Sequence, residues 1–112
     1  MFTSIPSMTV SDLDDPLGGE LSVIDVREQV EWDHGHIDGA VHLPMTEFVD
    51  RRAELPEGRL LIVCRVGNRS ARVTAYLVQQ GYDAVNLDGG MVDWAGAGRP
   101  MVSETTGPPQ VV

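Results

Sequence analysis

A chain of 112 residues accommodates one domain and is too short for two; a domain of this size buries roughly two-thirds of the surface its unfolded chain would expose. Hydrophobic residues make up 42% and charged residues 22%, an ordinary globular balance that argues against disorder. The net charge is −9 and all eight basic residues are arginine, which argues against nucleic acid or an anionic membrane as partner, since both require a basic surface.

The N-terminal stretch MFTSIPSMTV has no basic segment followed by an apolar one and does not read as a secretory signal. Residues 8–10 predict a short edge strand, followed by a brief helix over 12–15 that Ser11 caps and Pro16 breaks. Two runs, LSVIDV at 21–26 and LLIV at 60–63, are short, apolar and largely β-branched, as strands buried on both faces are. Weaker strand signals lie at 40–43 and 84–87. Between the strands the pattern predicts helices over 28–34, 45–52, 70–80 and 91–95, with Gly81 suited to the C-terminal cap of the third. No apolar run approaches the roughly 18 residues of a membrane span. Strands alternating with helices at this spacing predict an α/β domain with a mainly parallel sheet over residues 1–102. Residues 103–112, SETTGPPQVV, carry two prolines and no periodicity and read as a flexible tail.

The chemistry concentrates where LLIV runs into Cys64, Arg65, Val66, Gly67, Asn68, Arg69 and Ser70. A cysteine after a buried strand is commonly a small, inert core residue. The surroundings of this one argue otherwise. The C-terminal end of a parallel strand facing a helix start is the crevice where such sheets place ligands. Gly67 allows successive loop N–H groups to converge, the helix start adds partial positive charge, and Arg65 and Arg69 add full charges. Together these favour the thiolate, which is the nucleophile. Arg69 opposes the helix dipole, a cost that an anion held between Arg69 and the loop amides would reverse. Cys64 is the single cysteine, so no internal disulfide is possible, which fits a reducing, cytoplasmic setting.

CRVGNRS resembles the active-site loop of rhodanese-like domains, and four further stretches agree in order. These are Asp25-Val26-Arg27-Glu28; Gly35 to Ala40 ending at Pro44; Leu87-Asp88-Gly89-Gly90; and Trp94 with Gly98 and Pro100. The resemblance spans about residues 8–101. It implies a three-layer α/β fold with a five-stranded, mainly parallel sheet and helices on both faces. It also implies a sulfurtransferase with no separate cofactor and no metal, whose intermediate is a persulfide on Cys64 cradled by residues 65–70. The donor would be a small sulfur-bearing anion such as thiosulfate, or a persulfide, and the acceptor a thiol or cyanide. The alternative is a sulfur-carrier or docking module served by another protein's persulfide. Phosphatases and arsenate reductases of related fold use a loop one residue longer. The four residues between Cys64 and Arg69 suit one outer sulfur better than a tetrahedral oxyanion.

The remaining motif residues have structural explanations. Asp25 and Arg27 fall on one side of a continued strand, where an internal ion pair is expected, and Glu31 is placed to join it. Trp94 reads as core packing, Gly89-Gly90 as a tight turn, and His36 as a hydrogen-bonding structural residue. His34, His36 and His42 lack the cysteine or carboxylate partners that would complete a metal set.

Overall fold

The computed structural model describes residues 4–112; Met1, Phe2 and Thr3, part of the stretch that carries no secretory signal, lie outside the described residues. Five strands form one sheet: β1 Ser7–Met8, β2 Leu21–Asp25, β3 Val41–His42, β4 Arg59–Val63 and β5 Ala84–Leu87. Their spatial order is β1-β5-β4-β2-β3, and every strand pairs parallel with its neighbours. The helices are α1 Gln29–His34, α2 Asn68–Gln79 and α3 Gly90–Gly96, with single 3-10 turns at Val10–Asp12, Met45–Glu47 and Arg52–Glu54.

The central strand β4 shows why the fold is layered. Side chains alternate across a strand, so Leu61 and Val63 enter one cluster with Val85, Leu87, Met91 and Trp94. Leu60, Ile62 and Cys64 enter the other with Phe48, Val73 and Leu77. Residues 60–63 are all fully buried, each contributing about 2 kcal/mol of hydrophobic stabilisation. The chain runs from β2 to β3 on one side and returns to β4 on the other. The crevice at the C-terminal ends of β2 and β4 is therefore the switch point where open parallel sheets bind ligands.

Three local expectations are corrected. The helix expected over 45–52 is two separate 3-10 turns, because its inward anchorage is slight: Phe48 is buried but Val49 is exposed, and so short a run does not propagate a helix unaided. The helix expected at 12–15 is the turn Val10–Asp12, capped by Thr9 rather than Ser11. Thr9 N–H donates to Asp12 Oδ2 at 2.9 Å and its hydroxyl donates to the same atom at 3.0 Å. Val10, expected in the edge strand, is the buried first residue of that turn.

Residues 103–112 run back along the end of α1. Glu104 N–H donates to Asp33 O at 2.8 Å and Gln110 N–H to His34 O at 2.9 Å, satisfying carbonyls that a helix end leaves unpaired. Val111 packs against the first core cluster. A Cβ on Gly35 would lie 2.6 Å from Gln110 O, so glycine permits the close approach.

Candidate active site

Cys64 leaves the end of β4 and is 1% exposed. Gly67 follows with φ 112°, a left-handed conformation that glycine adopts cheaply, and it turns the chain directly into α2. Gly67 offers α2 no capping side chain, so the sulfur of Cys64 takes that place. Gly67 N–H donates to Sγ at 3.1 Å, Ser70 N–H at 3.3 Å and the Ser70 hydroxyl at 3.2 Å. Burial pushes the thiol pKa up, but hydrogen bonds from the Ser70 hydroxyl and from the Ser70, Gly67 and Val66 amides outweigh it, leaving Cys64 below its ordinary value. The site therefore stabilises a thiolate inside the protein.

The loop rests on α3. Met91 N–H donates to Cys64 O at 2.9 Å and Val92 N–H to Arg65 O at 3.0 Å. Gly90 makes this contact possible, since a Cβ there would lie 2.4 Å from Cys64 O and 2.6 Å from Arg65 O. Asn86, a buried amide within β5, donates to Gly67 O at 3.3 Å and to Asp88 Oδ1 at 3.0 Å. The motifs of the sequence do not include Asn86, although a lone amide inside the apolar run AVNL is a usable signal.

The two loop arginines differ from each other. Arg69 donates from Nη1 and Nη2 to the two carboxylate oxygens of Glu31 at 2.7 and 2.8 Å. Glu31 was expected beside Asp25 and Arg27; it pairs with Arg69, because α1 and the start of α2 flank the same crevice. This hydrogen bonding holds the Glu31 carboxyl below its ordinary range and raises Arg69. The anion that offsets a cation at the α2 start is thus supplied by the protein. Arg65 is exposed, and its Nε donates to Val112 O at 3.1 Å. Val66 and Asn68 are exposed on the same loop, whereas Gly67 and Ser70 are buried.

The family model for the rhodanese-like domain matches residues 9–97, and that stretch contains the whole of this cradle. The chain belongs to the rhodanese-like family. The sulfurtransferase of Allochromatium vinosum is 40% identical over 99 residues, covering 87% of this chain and 88% of its own. The thiosulfate sulfurtransferase GlpE of Pseudomonas fluorescens is 40% identical over 75 residues, covering 64% of this chain and 68% of its own. The solved rhodanese-related protein of Thermoplasma volcanium superposes with a TM-score of 0.81 at 31% identity, covering 87% of this chain and 97% of its own. Rhodanese-type sulfur transfer is therefore the class of chemistry to which this chain belongs.

The other motif residues of this rhodanese-like domain are structural. Asp25 and Arg27 are both fully buried and joined by Nε–Oδ1 and Nη2–Oδ2 bonds of 3.0 and 2.8 Å, with Arg27 Nη2 also donating to Gly35 O at 2.7 Å. Trp94 lies in the core and its Nε1 donates to Pro100 O at 3.0 Å. A ring nitrogen of each histidine lies against a main-chain oxygen: His34 at Val30, His36 at Trp32 and His42 at Arg27. His36 and His42 also stack on Trp32, with ring centroids at 3.5 and 4.6 Å. Among the described residues, no helix is long and apolar enough to cross a membrane.

Proposed function

We propose that this rhodanese-like domain carries sulfane sulfur as a persulfide on Cys64 and passes it to a nucleophilic acceptor, a thiol or cyanide. The observation that carries the proposal is the convergence of three donors on Sγ within 3.1–3.3 Å. In the first half-reaction the Cys64 thiolate attacks the outer sulfur of a donor. An Sγ–S bond forms, the donor's S–X bond breaks, and its electron pair departs with X. The persulfide is then held by the loop residues 65–70, whose amides and Ser70 hydroxyl offer hydrogen bonds to developing negative charge. In the second half-reaction the acceptor attacks the outer sulfur, the Sγ–S bond breaks, and the thiolate returns. Cys64 is the chain's single cysteine, so there is no internal resolving thiol and the sulfur leaves on an external acceptor.

A transferase and a sulfur carrier both use this chemistry, and they are separated by turnover. With excess donor and cyanide, a transferase forms thiocyanate many times over per molecule, and Cys64→Ser abolishes it. Thiocyanate formation that survives in Cys64→Ser overturns the proposal.

A further inference from the structure

Arg99 is buried without being satisfied. Its side chain is 5% exposed, and its Nε is enclosed with no hydrogen-bond partner. Among the described residues its guanidinium makes one hydrogen bond, from Nη2 to Asp14 O. An enclosed charged donor that lacks an acceptor is costly to keep. Asp15 offsets it only weakly, since its Oδ1 stands 3.9 Å from Nη2 and its side chain is 75% exposed. The guanidinium lies over Trp94, with Cζ 4.5 Å from the ring centroid. Two clefts meet at this group, and both Arg99 and Asp15 line each of them. The first, of about 470 Å³, adds the polar groups of Thr9, Ser11 and Asp93. The second, of about 360 Å³, adds an apolar wall of Leu17, Ile37, Trp94, Pro100 and Met101, with Asp38 at its side. Both volumes lie in the range of small-molecule sites.

The charges along the two clefts are one guanidinium and the carboxylates of Asp15, Asp38 and Asp93. A simple anion that reached Arg99 would also face those carboxylates. A simple cation would leave the guanidinium unsatisfied. A zwitterion answers both, and one that carries an apolar group also fills the second cleft. We infer that the paired clefts bind a free α-amino acid with an apolar side chain. Its carboxylate accepts from the Arg99 guanidinium, and its ammonium lies in the field of Asp15 and Asp93. Its side chain rests among Leu17, Ile37 and Met101, where burial removes apolar surface from water. The site is distinct from the loop that follows β4 and does not depend on the persulfide reading of Cys64. Helix α3 stands between the two: Met91 and Val92 N–H hold the loop, whereas Asp93 and Trp94 line the clefts.

The test uses the full chain with L-leucine and L-methionine as probes. Calorimetry should show saturable binding of both, with a Kd of about 1 mM or tighter. Three analogues each remove one feature: leucinamide the carboxylate, N-acetyl-leucine the ammonium, and glycine the side chain. Leucinamide and glycine should each bind about tenfold or more weakly than leucine, and N-acetyl-leucine about two- to fivefold more weakly, since Asp15 and Asp93 are exposed. In an NMR titration leucine should move the Trp94 indole N–H and the main-chain resonances of residues 15–17 and 99–101 first. Arg99→Gln should lower leucine affinity about tenfold. Because Arg99 is buried and its variant is at risk in folding, Asp93→Asn supplies a second check at an exposed position. It should weaken leucine about two- to fivefold and leave N-acetyl-leucine, which has no ammonium, unchanged. Absence of binding by both amino acids overturns the inference. So does an analogue that matches leucine, a set of shifts centred on residues 64–70, or leucine affinity unaltered in Asp93→Asn.

Discussion

Ser70 gives Cys64 two hydrogen bonds, one from its main chain and one from its hydroxyl. Ser70→Ala keeps the first and removes the second. A hydrogen bond to a charged group contributes about 1.5–3 kcal/mol, and about 1.4 kcal/mol is one pKa unit. The midpoint of Cys64 alkylation against pH should therefore rise by about one to two units in Ser70→Ala. In the unmodified protein it should lie below the free-thiol value of about 8.5, with reactivity lost as pH falls through it. An unmoved midpoint would mean that the amides alone hold the thiolate. Arg69 supports a second residue-scale prediction, opposite in sign to what helix-dipole reasoning gives. Arg69→Ala leaves a largely buried Glu31, whose side chain is 13% exposed, without its cation. Between the surface and buried limits for ion pairs, with discount for solvent around Arg69, the cost is about 1 kcal/mol, seen as a melting temperature lower by about 4 °C. The folded Glu31 pKa is depressed, so this difference is complete above the ordinary carboxyl value of about 4.3. It fades as pH falls through the lower folded value. Cys64 and its loop were legible because strand, nucleophile, glycine and helix start are contiguous. The Glu31 partnership was not, because the two residues lie 38 positions apart and the Asp25–Arg27 pair, nearer in the sequence, offered Glu31 a different partner.

At the scale of elements, the loop keeps its shape because α3 lies directly beneath it. Gly90 has φ 55° and no room for a Cβ, with Cys64 O and Arg65 O within 2.6 Å of where it would stand. Gly90→Ala must therefore separate α3 from the loop, breaking the Met91 and Val92 bonds to it. The expected cost is about 3 kcal/mol, the sum of backbone strain and displaced packing, together with a Cys64 pKa nearer that of a free thiol. Denaturant unfolding and the alkylation profile check the two parts. A variant unchanged in both would show that the loop stands without α3. The short apolar run of β4 and the glycine bounding α2 make those elements readable in the amino-acid pattern itself. The stretch 45–54 misleads because its composition is helical while its main-chain bonds are local 3-10 ones, with Met45 N–H taken up by Val26 O at 2.9 Å. That is a tertiary demand which no sequence period records.

Across the whole molecule, the alternation of strands and helices carried the α/β class, and five motifs in register carried the family, which the match over residues 9–97 bears out. The path of residues 103–112 was illegible for a physical reason: it is held by main-chain bonds to Asp33 and His34, and main-chain bonding leaves no side-chain pattern. The same fold gathers a buried thiol, the start of α2 and the amides of one loop at the switch point of the sheet. The central claim is that this point stores one sulfur atom on Cys64. Intact mass spectrometry after incubation with a persulfide donor tests it most directly. The account predicts a gain of one sulfur, located on Cys64, removed by added thiol or cyanide and absent in Cys64→Ser. A protein whose mass does not change, or a gain that persists in Cys64→Ser, would contradict it.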